Sequence, residues 1–373
     1  MRKLKVAHVL NAVGGVDVYL RLLLNNINDD EFESIVIHSI NDAKEPFRDK
    51  SGRLIEDYKI PIFREISIIK DLSSVIKTYK LLKKIKPDVV HAHSAKGGIV
   101  GRLAGIMAGI RVLYTPHAFS YLSASNTVKN KAFFNIERFF TRTNTAVLAT
   151  SQSEVERAVN EVGFKKEKVL LFSNSVEPVN NLAPLSIKQT WPDNYICTVG
   201  RPSYQKNTLL LIRVIHEIKK HVPIHLVIMG VGHYCEDLQK VQDLIQKLDL
   251  TENITLLEWT SRSDVFSIIS KSKLYISTSR YEGLPYSVIE TLSLGKPCVV
   301  SNCDGNKDLV QNNYNGYVID NEDVENYKDK VILLLRDNDL RAQMGVNAKQ
   351  LFNKNYNIHN TITLLEETYR KFK

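Results

Sequence analysis

The sequence predicts an α/β protein of two domains, each built on a doubly wound parallel sheet, and three observations support this class. Apolar runs rich in Val and Ile alternate with stretches of helical period, which is typical of parallel βα units. The segment 176–194, with three prolines, interrupts this alternation near the middle of the chain. The length of 373 residues is that of two ordinary domains.

The same order of elements occurs twice along the chain. The predicted strands of the first half are Val6–Leu10, Ile35–Ile40, Val89–His93, Val112–Thr115, Ala146–Thr150 and Val169–Phe172. Those of the second half are Tyr195–Val199, Leu226–Met229, Ile254–Leu257, Leu274–Thr278, Cys298–Ser301 and Tyr317–Ile319. Helical spacing predicts three closing helices, over Val324–Arg336, Arg341–Phe352 and Ile358–Phe372. We therefore expect a first domain over residues 1–178 and a second over residues 179–355. Two such sheets in series imply a cleft, with ligands at the carboxyl ends of the strands.

Composition places the chain among ordinary globular proteins, with 43% hydrophobic and 24% charged residues. Of its four cysteines, three lie in or beside apolar strands, which predicts buried thiols in a reducing compartment. Their spacing does not fit a zinc site. The basic start lacks the apolar core of a signal peptide, and we expect a cytoplasmic protein.

Positive charge is concentrated between residues 70 and 142, where 13 Lys and Arg face three Asp and Glu. Such an excess favours an anionic partner, either nucleic acid or anionic lipid. The stretch 71–86 fits an ordinary crossover helix with a solvated basic face. The stretch 129–142 mixes basic and aromatic residues and predicts an interfacial helix that binds an anionic membrane surface. Its residues are Lys129, Lys131, Phe133, Phe134, Arg138, Phe139, Phe140 and Arg142.

The segment 279–301 is the most informative part of the chain. It contains Glu282 and Glu290, eight positions apart, with the turn Gly283-Leu284-Pro285 between them. We expect Pro285 to open a helix at its first position and Gly295 to end it. Along a helix, eight residues span about 12 Å, which suits the two ends of one long ligand. The amides at the helix start could hold an anion between the two carboxylates, and a nucleotide-sugar has this outline.

Two further loops follow predicted strands. Arg201 and Lys206 lie in Gly-Arg-Pro-Ser-Tyr-Gln-Lys. The guanidinium of Arg201 can donate two parallel hydrogen bonds to phosphate oxygens, and the ammonium of Lys206 is a compact positive charge for them. Gly14 and Gly15 let the backbone approach a ligand closely, although the pair also fits a simple turn. His117, in Thr-Pro-His-Ala-Phe-Ser-Tyr, ends another predicted strand.

Taken together, these motifs resemble the signature of family 4 glycosyltransferases, which are retaining enzymes of the GT-B fold with two Rossmann-like domains. The resemblance covers nearly the whole chain. It implies that Glu290 binds ribose, Glu282 the sugar, and Arg201 and Lys206 the diphosphate of a nucleotide-sugar, and the same analogy points to a UDP-linked donor. It also implies that Gly14, Gly15 and the 283–285 turn contact the donor. His117 matches the active-site histidine beside the transferred sugar.

The resemblance has further implications and one departure. The family's Gly-Gly-x-Glu motif has Asp17 in place of Glu here, and the role of Asp17 stays open. The segment around His117 is similar to that of capsule, exopolysaccharide and O-antigen enzymes, which implies a glycan or polyprenyl-diphosphate-linked acceptor. No metal and no cofactor is implied. The last helix, about 356–373, is expected to pack back on the first domain.

Several alternatives were weighed on the residues. His91 and His93 point the same way from a strand, but no third metal ligand is evident from the sequence. Asp337 and Asp339 fit a metal-binding Asp-x-Asp pattern, yet lie between two helices, where a cap is expected. Gly230-Val-Gly232 lacks the third glycine of a dinucleotide site. A nucleic-acid-binding protein of this fold, or a nucleotide-sugar epimerase, are the alternative functions.

Overall fold

The computed structural model describes residues 2–40, 42–43, 45–63, 67–123, 126–232, 235–320 and 322–373. The chain forms two compact units. It passes from the first unit to the second after Glu177 and returns to the first unit at Ile358.

The first unit contains a sheet of seven parallel strands in the spatial order β3-β2-β1-β4-β5-β6-β7. The strands are β1 (Leu4–Val9), β2 (Phe32–His38), β3 (Asp57–Lys59), β4 (Val89–His93), β5 (Arg111–Thr115), β6 (Thr145–Ala149) and β7 (Val169–Leu171). The helices between them are α1 (Gly15–Asn26), α2 (Ile68–Ile85), α3 (Ala95–Ala108), α4 (Thr127–Phe140) and α5 (Gln152–Arg157). The predicted strands of this half are confirmed. The edge strand β3 escaped prediction because it has three residues, two of them charged.

The second unit contains six parallel strands in the order β10-β9-β8-β11-β12-β13. The strands are β8 (Ile196–Val199), β9 (Leu226–Val231), β10 (Ile254–Glu258), β11 (Tyr275–Ser277), β12 (Cys298–Ser301) and β13 (Gly316–Ile319). The helices are α6 (Thr208–Lys219), α7 (Leu238–Lys247), α8 (Arg262–Lys271), α9 (Tyr286–Ser293), α10 (Asn306–Leu309), α11 (Val324–Arg336) and α12 (Asn338–Asn355). Most strand residues are fully buried, as expected when helices cover both faces of a parallel sheet.

The final helix, α13 (Ile358–Phe372), belongs to the first unit. Its first amide donates to Val176 O at 3.0 Å, and Glu366 Oε1 accepts from the amide of Asn28 at 2.9 Å. Tyr369, fully buried, hydrogen-bonds through its hydroxyl to His91 Nδ1 at 2.6 Å. These bonds tie the end of the chain to Val176, to the segment that follows α1, and to β4.

Two helix starts differ in detail from prediction. Pro285 is the N-cap of α9 rather than its first helical residue. Helix α12 starts three residues earlier than predicted, because the Asp337 side chain caps it by accepting from the amide of Leu340 at 2.8 Å. This bond supports the capping role that we expected for Asp337. Within the described residues, no helix is both long enough and apolar enough to cross a bilayer.

Candidate active site

The segments that follow β8, β11 and β12 meet at the carboxyl edge of the second sheet. The amide of Arg280 donates to Gln205 O at 2.8 Å, and Ser301 Oγ donates to Ser279 O at 2.5 Å. Thr278 Oγ1 bonds the carbonyl of Lys206 at 3.1 Å. Because adjacent parallel strands end at one edge, residues far apart in sequence come together here.

Lys206 and Glu282 form an ion pair at this edge. Lys206 Nζ donates to Glu282 Oε1 at 2.7 Å, and Gln205 Nε2 donates to Glu282 Oε2 at 3.2 Å. The Lys206 stem lies over Gly200, where a Cβ atom would come within 2.9 Å of Lys206 Cε. Burial opposes the ammonium charge, but the neighbouring Glu282 outweighs burial and raises the pKa of Lys206. A fixed cation therefore stands beside a carboxylate, with half-buried Arg201 directly after Gly200.

The turn 283–285 is held between Glu282 and helix α9. Leu284 is 3% exposed and anchors the turn in the core. Gly305 passes so close that a Cβ atom there would lie 2.2 Å from Gly283 O, and its φ of 76° also favours glycine. The dipole of α9 places partial positive charge at the start of this helix, beside the turn, and this favours an anion there.

Glu290 lies in α9 and is 7% exposed. Its Oε1 accepts from Arg262 Nη2 at 2.6 Å and from Arg262 Nε at 3.1 Å. Burial raises the pKa of Glu290, and Arg262 opposes that shift without cancelling it. The sequence reasoning missed Arg262. Its position at the start of α8, in the segment that follows the carboxyl end of β10, was the signal that could have identified it.

In the first unit, Gly14 is the N-cap of α1, and a Cβ atom there would meet nothing within 4 Å. Gly15 is the first residue of the helix. Asp17, whose role was open, pairs with Arg21 Nε at 2.9 Å within the same helix. Arg21 in turn donates to the carbonyls of Glu45 and Pro46 at 2.8 and 3.0 Å. Asp17 thus orders a neighbouring loop.

His117 follows the carboxyl end of β5, is half-buried, and packs against the edge of the Tyr19 ring, with centroids 4.7 Å apart. Its ring also stacks on His93 at 5.8 Å. Burial lowers the pKa of His117 to about 3, so the imidazole is neutral at physiological pH. Its Nε2 atom is buried and has no hydrogen-bond partner among the described residues. A neutral ring nitrogen that lacks a partner is suited to a hydroxyl of a ligand.

The sequence showed no third ligand for His91 and His93, but the structure places a third histidine next to them. Strand β1 pairs in register with β4 and places His8 beside them, so that ligand atoms of the three lie within 4.8 Å of one another. However, His91 already bonds the hydroxyls of Tyr369 and Thr115 through its two ring nitrogens, at 2.6 and 2.8 Å. A metal ion would have to break one of these bonds. Burial lowers the pKa of all three histidines, which matches neutral rings in a packed core.

The predicted interfacial face on α4 is only partly exposed, and the prediction is wrong for Phe140. That ring is 1% exposed and lies under the guanidinium of Arg102 at 3.7 Å, beside the buried Arg102–Glu137 ion pair. Phe133 and Phe134 pack against the core of the first unit. The helix turns positions 133, 137 and 140 inward, because they are separated by three or four residues. Phe139 is 57% exposed, and its basic neighbours Lys129, Lys131, Arg138 and Arg142 are also exposed.

Helix α2 exposes a more apolar face than the sequence suggested. Ile69, Leu72 and Ile76 are 84%, 58% and 39% exposed, at spacings that place them on one side of the helix. Exposed lysines lie along the same helix, at positions 70, 77, 80, 83 and 84. From the sequence we expect an ordinary crossover helix with a solvated basic face here. The structure shows three large apolar side chains in solvent on that helix.

Two doubly wound parallel-sheet units, one after the other in the chain, are the architecture of the GT-B class. The family "Glycosyltransferase Family 4" matches residues 13–179, and "Glycosyl transferases group 1" matches residues 186–351. Together the two matches cover most of both units. The chain belongs to the family 4 glycosyltransferases, and it is a glycosyltransferase.

Full-length relatives agree with this assignment. The chain is 29% identical to the Escherichia coli UDP-Gal:alpha-D-GlcNAc-diphosphoundecaprenol alpha-1,3-galactosyltransferase, over 98% of this chain and 97% of that one. The sucrose-phosphate synthase of Thermosynechococcus elongatus has the same fold, with a TM-score of 0.82, 15% identity and 99% of each chain covered. Anabaena Alr3699/HepE, solved with UDP and glucose, superposes with a TM-score of 0.78 at 17% identity, over 98% of this chain and 99% of that one.

Proposed function

We propose that this glycosyltransferase moves a sugar from a UDP-sugar to a glycan or polyprenyl-diphosphate-linked acceptor, with retention of anomeric configuration, in the synthesis of a bacterial surface polysaccharide. The name of the galactosyltransferase relative, which specifies UDP-Gal and a diphosphoundecaprenol acceptor, supports these substrate classes. The carrying observation is the carboxyl edge of the second sheet, where Lys206 pairs with Glu282, Arg262 pairs with Glu290, and half-buried Arg201 follows the end of β8.

In this proposal, Arg201 and Lys206 hold the diphosphate of the donor. Negative charge develops on the diphosphate as its bond to the anomeric carbon breaks. Pre-positioned cationic donors stabilise that charge without reorganisation, and a single such donor is worth about 3 kcal/mol. Lys206 is already charged and fixed by Glu282 at 2.7 Å. The leaving group therefore needs no general acid and, we propose, no metal ion and no cofactor.

The two glutamates bind opposite ends of the donor. Glu290 accepts hydrogen bonds from the ribose hydroxyls, and Arg262 compensates its charge from one side, leaving Oε2 for the ligand. Glu282 accepts from hydroxyls of the sugar, and Gly283, Leu284 and Pro285 line the donor beside it. By the family resemblance, Gly14 and Gly15 contact the donor through their backbone. His117, neutral because of burial, binds a hydroxyl of the transferred sugar through Nε2.

A thermal-shift screen tests the donor class. A ligand at about 100 times its dissociation constant adds about 2.7 kcal/mol to the free energy of unfolding. For a unit of this size, that corresponds to a rise of about 5 to 10 °C in Tm. We expect the rise with UDP and UDP-sugars but not with CMP-linked sugars. Arg201→Ala should lose it, whereas Lys240→Ala, which removes an exposed ion pair with Asp237, should keep it. If no UDP-sugar raises the Tm of the wild-type protein, the proposal is contradicted.

The enzyme, in this proposal, acts at the inner face of the cell membrane and binds it peripherally through the first unit. The exposed apolar side chains of α2, namely Ile69, Leu72 and Ile76, insert at the headgroup level, and Phe139 of α4 adds to them. The lysines of both helices attract anionic lipid, at about 1 kcal/mol for each residue near the surface. Charge and exposed apolar area thus coincide on these two helices.

Vesicle flotation tests the membrane proposal. We expect binding to vesicles with one third phosphatidylglycerol and little binding to pure phosphatidylcholine. Ile69→Asp with Leu72→Asp should abolish it. A matched control is Leu364→Asp, because Leu364 is 53% exposed on α13, away from the lysine-rich helices. Equal binding by the double variant and the control removes α2 from the proposal.

A further inference from the structure

The backbone at His117 is in an unusual conformation. His117 and Ala118 have φ angles of 53° and 75°, so two successive residues that are not glycine adopt the left-handed region. A side chain makes this region unfavourable, and such strain persists only where surrounding contacts fix it. The turn directs the imidazole toward Tyr19 and His93. Some contact must therefore hold residues 117 and 118 in place.

Glu154 supplies that contact from another element. Its Oε1 accepts from the amide of Ala118 at 2.9 Å, 36 residues earlier in the chain. Its Oε2 accepts from the amide and the hydroxyl of Thr150, at 2.7 and 3.0 Å. The carboxylate is 3% exposed, so these bonds are shielded from water. One side chain thus joins the segment after β5 to the end of β6.

The position of Glu154 in its helix is set by local capping. Ser151 is the N-cap of α5, and its side chain accepts from the amide of Glu154 at 3.1 Å. A glutamate at this third helical position ordinarily reaches back to the start of its own helix. Here it also reaches the amide of Ala118, which helix capping does not require. This additional bond holds the His117–Ala118 turn and does not contribute to the capping of α5.

We propose that Glu154 is a positioning residue of the transfer reaction, which holds the His117–Ala118 turn so that His117 keeps its orientation. This inference rests on the proposed role of His117 as a ligand of the transferred sugar. Glu154 does not touch the substrate and acts through the amide of Ala118. A small displacement of a group that binds the reacting sugar lowers turnover more than it lowers donor affinity.

Glu154→Gln is the direct test, with Glu156→Gln as the matched control on the exposed side of the same helix. The amide keeps the shape of the side chain but has only one acceptor oxygen, so it cannot accept from both Ala118 and Thr150. We expect kcat to fall by about 10- to 100-fold with the donor KM within about twofold, since misplacement of about 1 Å can cost that much. The control should keep both constants. Unchanged kcat in Glu154→Gln overturns the inference.

A second substitution separates positioning from folding. Ala118→Gly relieves the left-handed strain, so in the Glu154→Gln background it should restore Tm. It should not restore kcat, because glycine leaves the turn free. If kcat returns together with Tm, Glu154 serves folding alone and the inference fails.

Nuclear magnetic resonance gives a readout that is independent of activity. In Glu154→Gln we expect faster hydrogen exchange of the Ala118 amide and a shift of the His117 ring nitrogens. Unchanged spectra overturn the positioning role. This readout remains valid even if no sugar is ever transferred, so a failure of the proposed function is distinguished from a failure of this inference.

Discussion

Replacing Lys206 with methionine separates the contribution of the Lys206–Glu282 ion pair to stability from the contribution of the Lys206 charge to turnover. Methionine keeps the apolar stem over Gly200 but removes the charge that bonds Glu282 at 2.7 Å. A hydrogen bond to a charged group contributes about 1.5 to 3 kcal/mol. The Lys206 side chain is 25% exposed and that of Glu282 is 9% exposed, so the lower end applies. We expect a loss of about 1.5 kcal/mol, or about 3 to 6 °C in Tm.

Turnover should fall further than stability. Loss of one pre-positioned donor to the leaving diphosphate costs about 3 kcal/mol, equivalent to about 100-fold in kcat. The double variant Lys206→Met with Glu282→Gln leaves no unpaired carboxylate, so it should regain most of the lost Tm while kcat stays low. Differential scanning calorimetry and initial-rate measurements of sugar transfer give both quantities. A Lys206→Met variant with kcat within twofold of wild type, or a double variant that recovers turnover, refutes the reasoning.

Two other predictions follow from the buried histidines and from a close glycine contact. The histidines His8, His91, His93 and His117 have pKa values lowered by burial from 6.5, so the folded state binds fewer protons than the unfolded state and stability is lost as pH falls below 6.5. At about 1.4 kcal/mol per group and pH unit, His8 and His117, with pKa values of about 3, together cost the first unit about 2 to 3 kcal/mol between pH 6 and 5, and His91 and His93 act in the same direction. Both tryptophans, Trp191 and Trp259, lie in the second unit, so circular dichroism should begin to change at a higher pH than tryptophan fluorescence; coincident transitions contradict this. Gly305→Ala should lower Tm and weaken UDP-sugar binding at least tenfold, because the added Cβ atom would lie 2.2 Å from Gly283 O. Gly109→Ala is the control, since Gly109 has a similar φ of 74° but nothing within 4 Å of an added Cβ atom. It incurs the backbone strain alone and should leave UDP-sugar binding unchanged. Equal binding by the two glycine variants counts against the turn as part of the donor site.

The sheets could be predicted from sequence because their strands are short apolar runs that helices bury on both faces. Val89–His93 and Cys298–Ser301 have the predicted bounds. Strand β3 could not be predicted, since its pairing with β2 depends on tertiary contacts and not on its own side chains. The inward side of α4 was not identified, because the sequence shows the aromatic residues but not which of them lies against Arg102.

The candidate site was predictable in its residues but not in its pairings. Arg201, Lys206, Glu282 and Glu290 lie in recognisable motifs at strand ends and around a turn. The partners Arg262, Glu154 and His8 reach their positions through strand order and register, which no local pattern encodes. His8 faces His91 only because β1 pairs with β4, and these strands are about 80 residues apart in sequence.

Transfer itself, with the stereochemistry of the product, tests the central claim most directly. The enzyme is incubated with a panel of labelled UDP-sugars and a synthetic lipid bearing GlcNAc-diphosphate, and the product is analysed by mass spectrometry and proton NMR. We predict one new glycosidic bond with the α configuration of the donor, formed by wild type without added metal and about 100-fold more slowly by Arg201→Ala. A β-linked product, or equal rates for wild type and Arg201→Ala, would contradict the account.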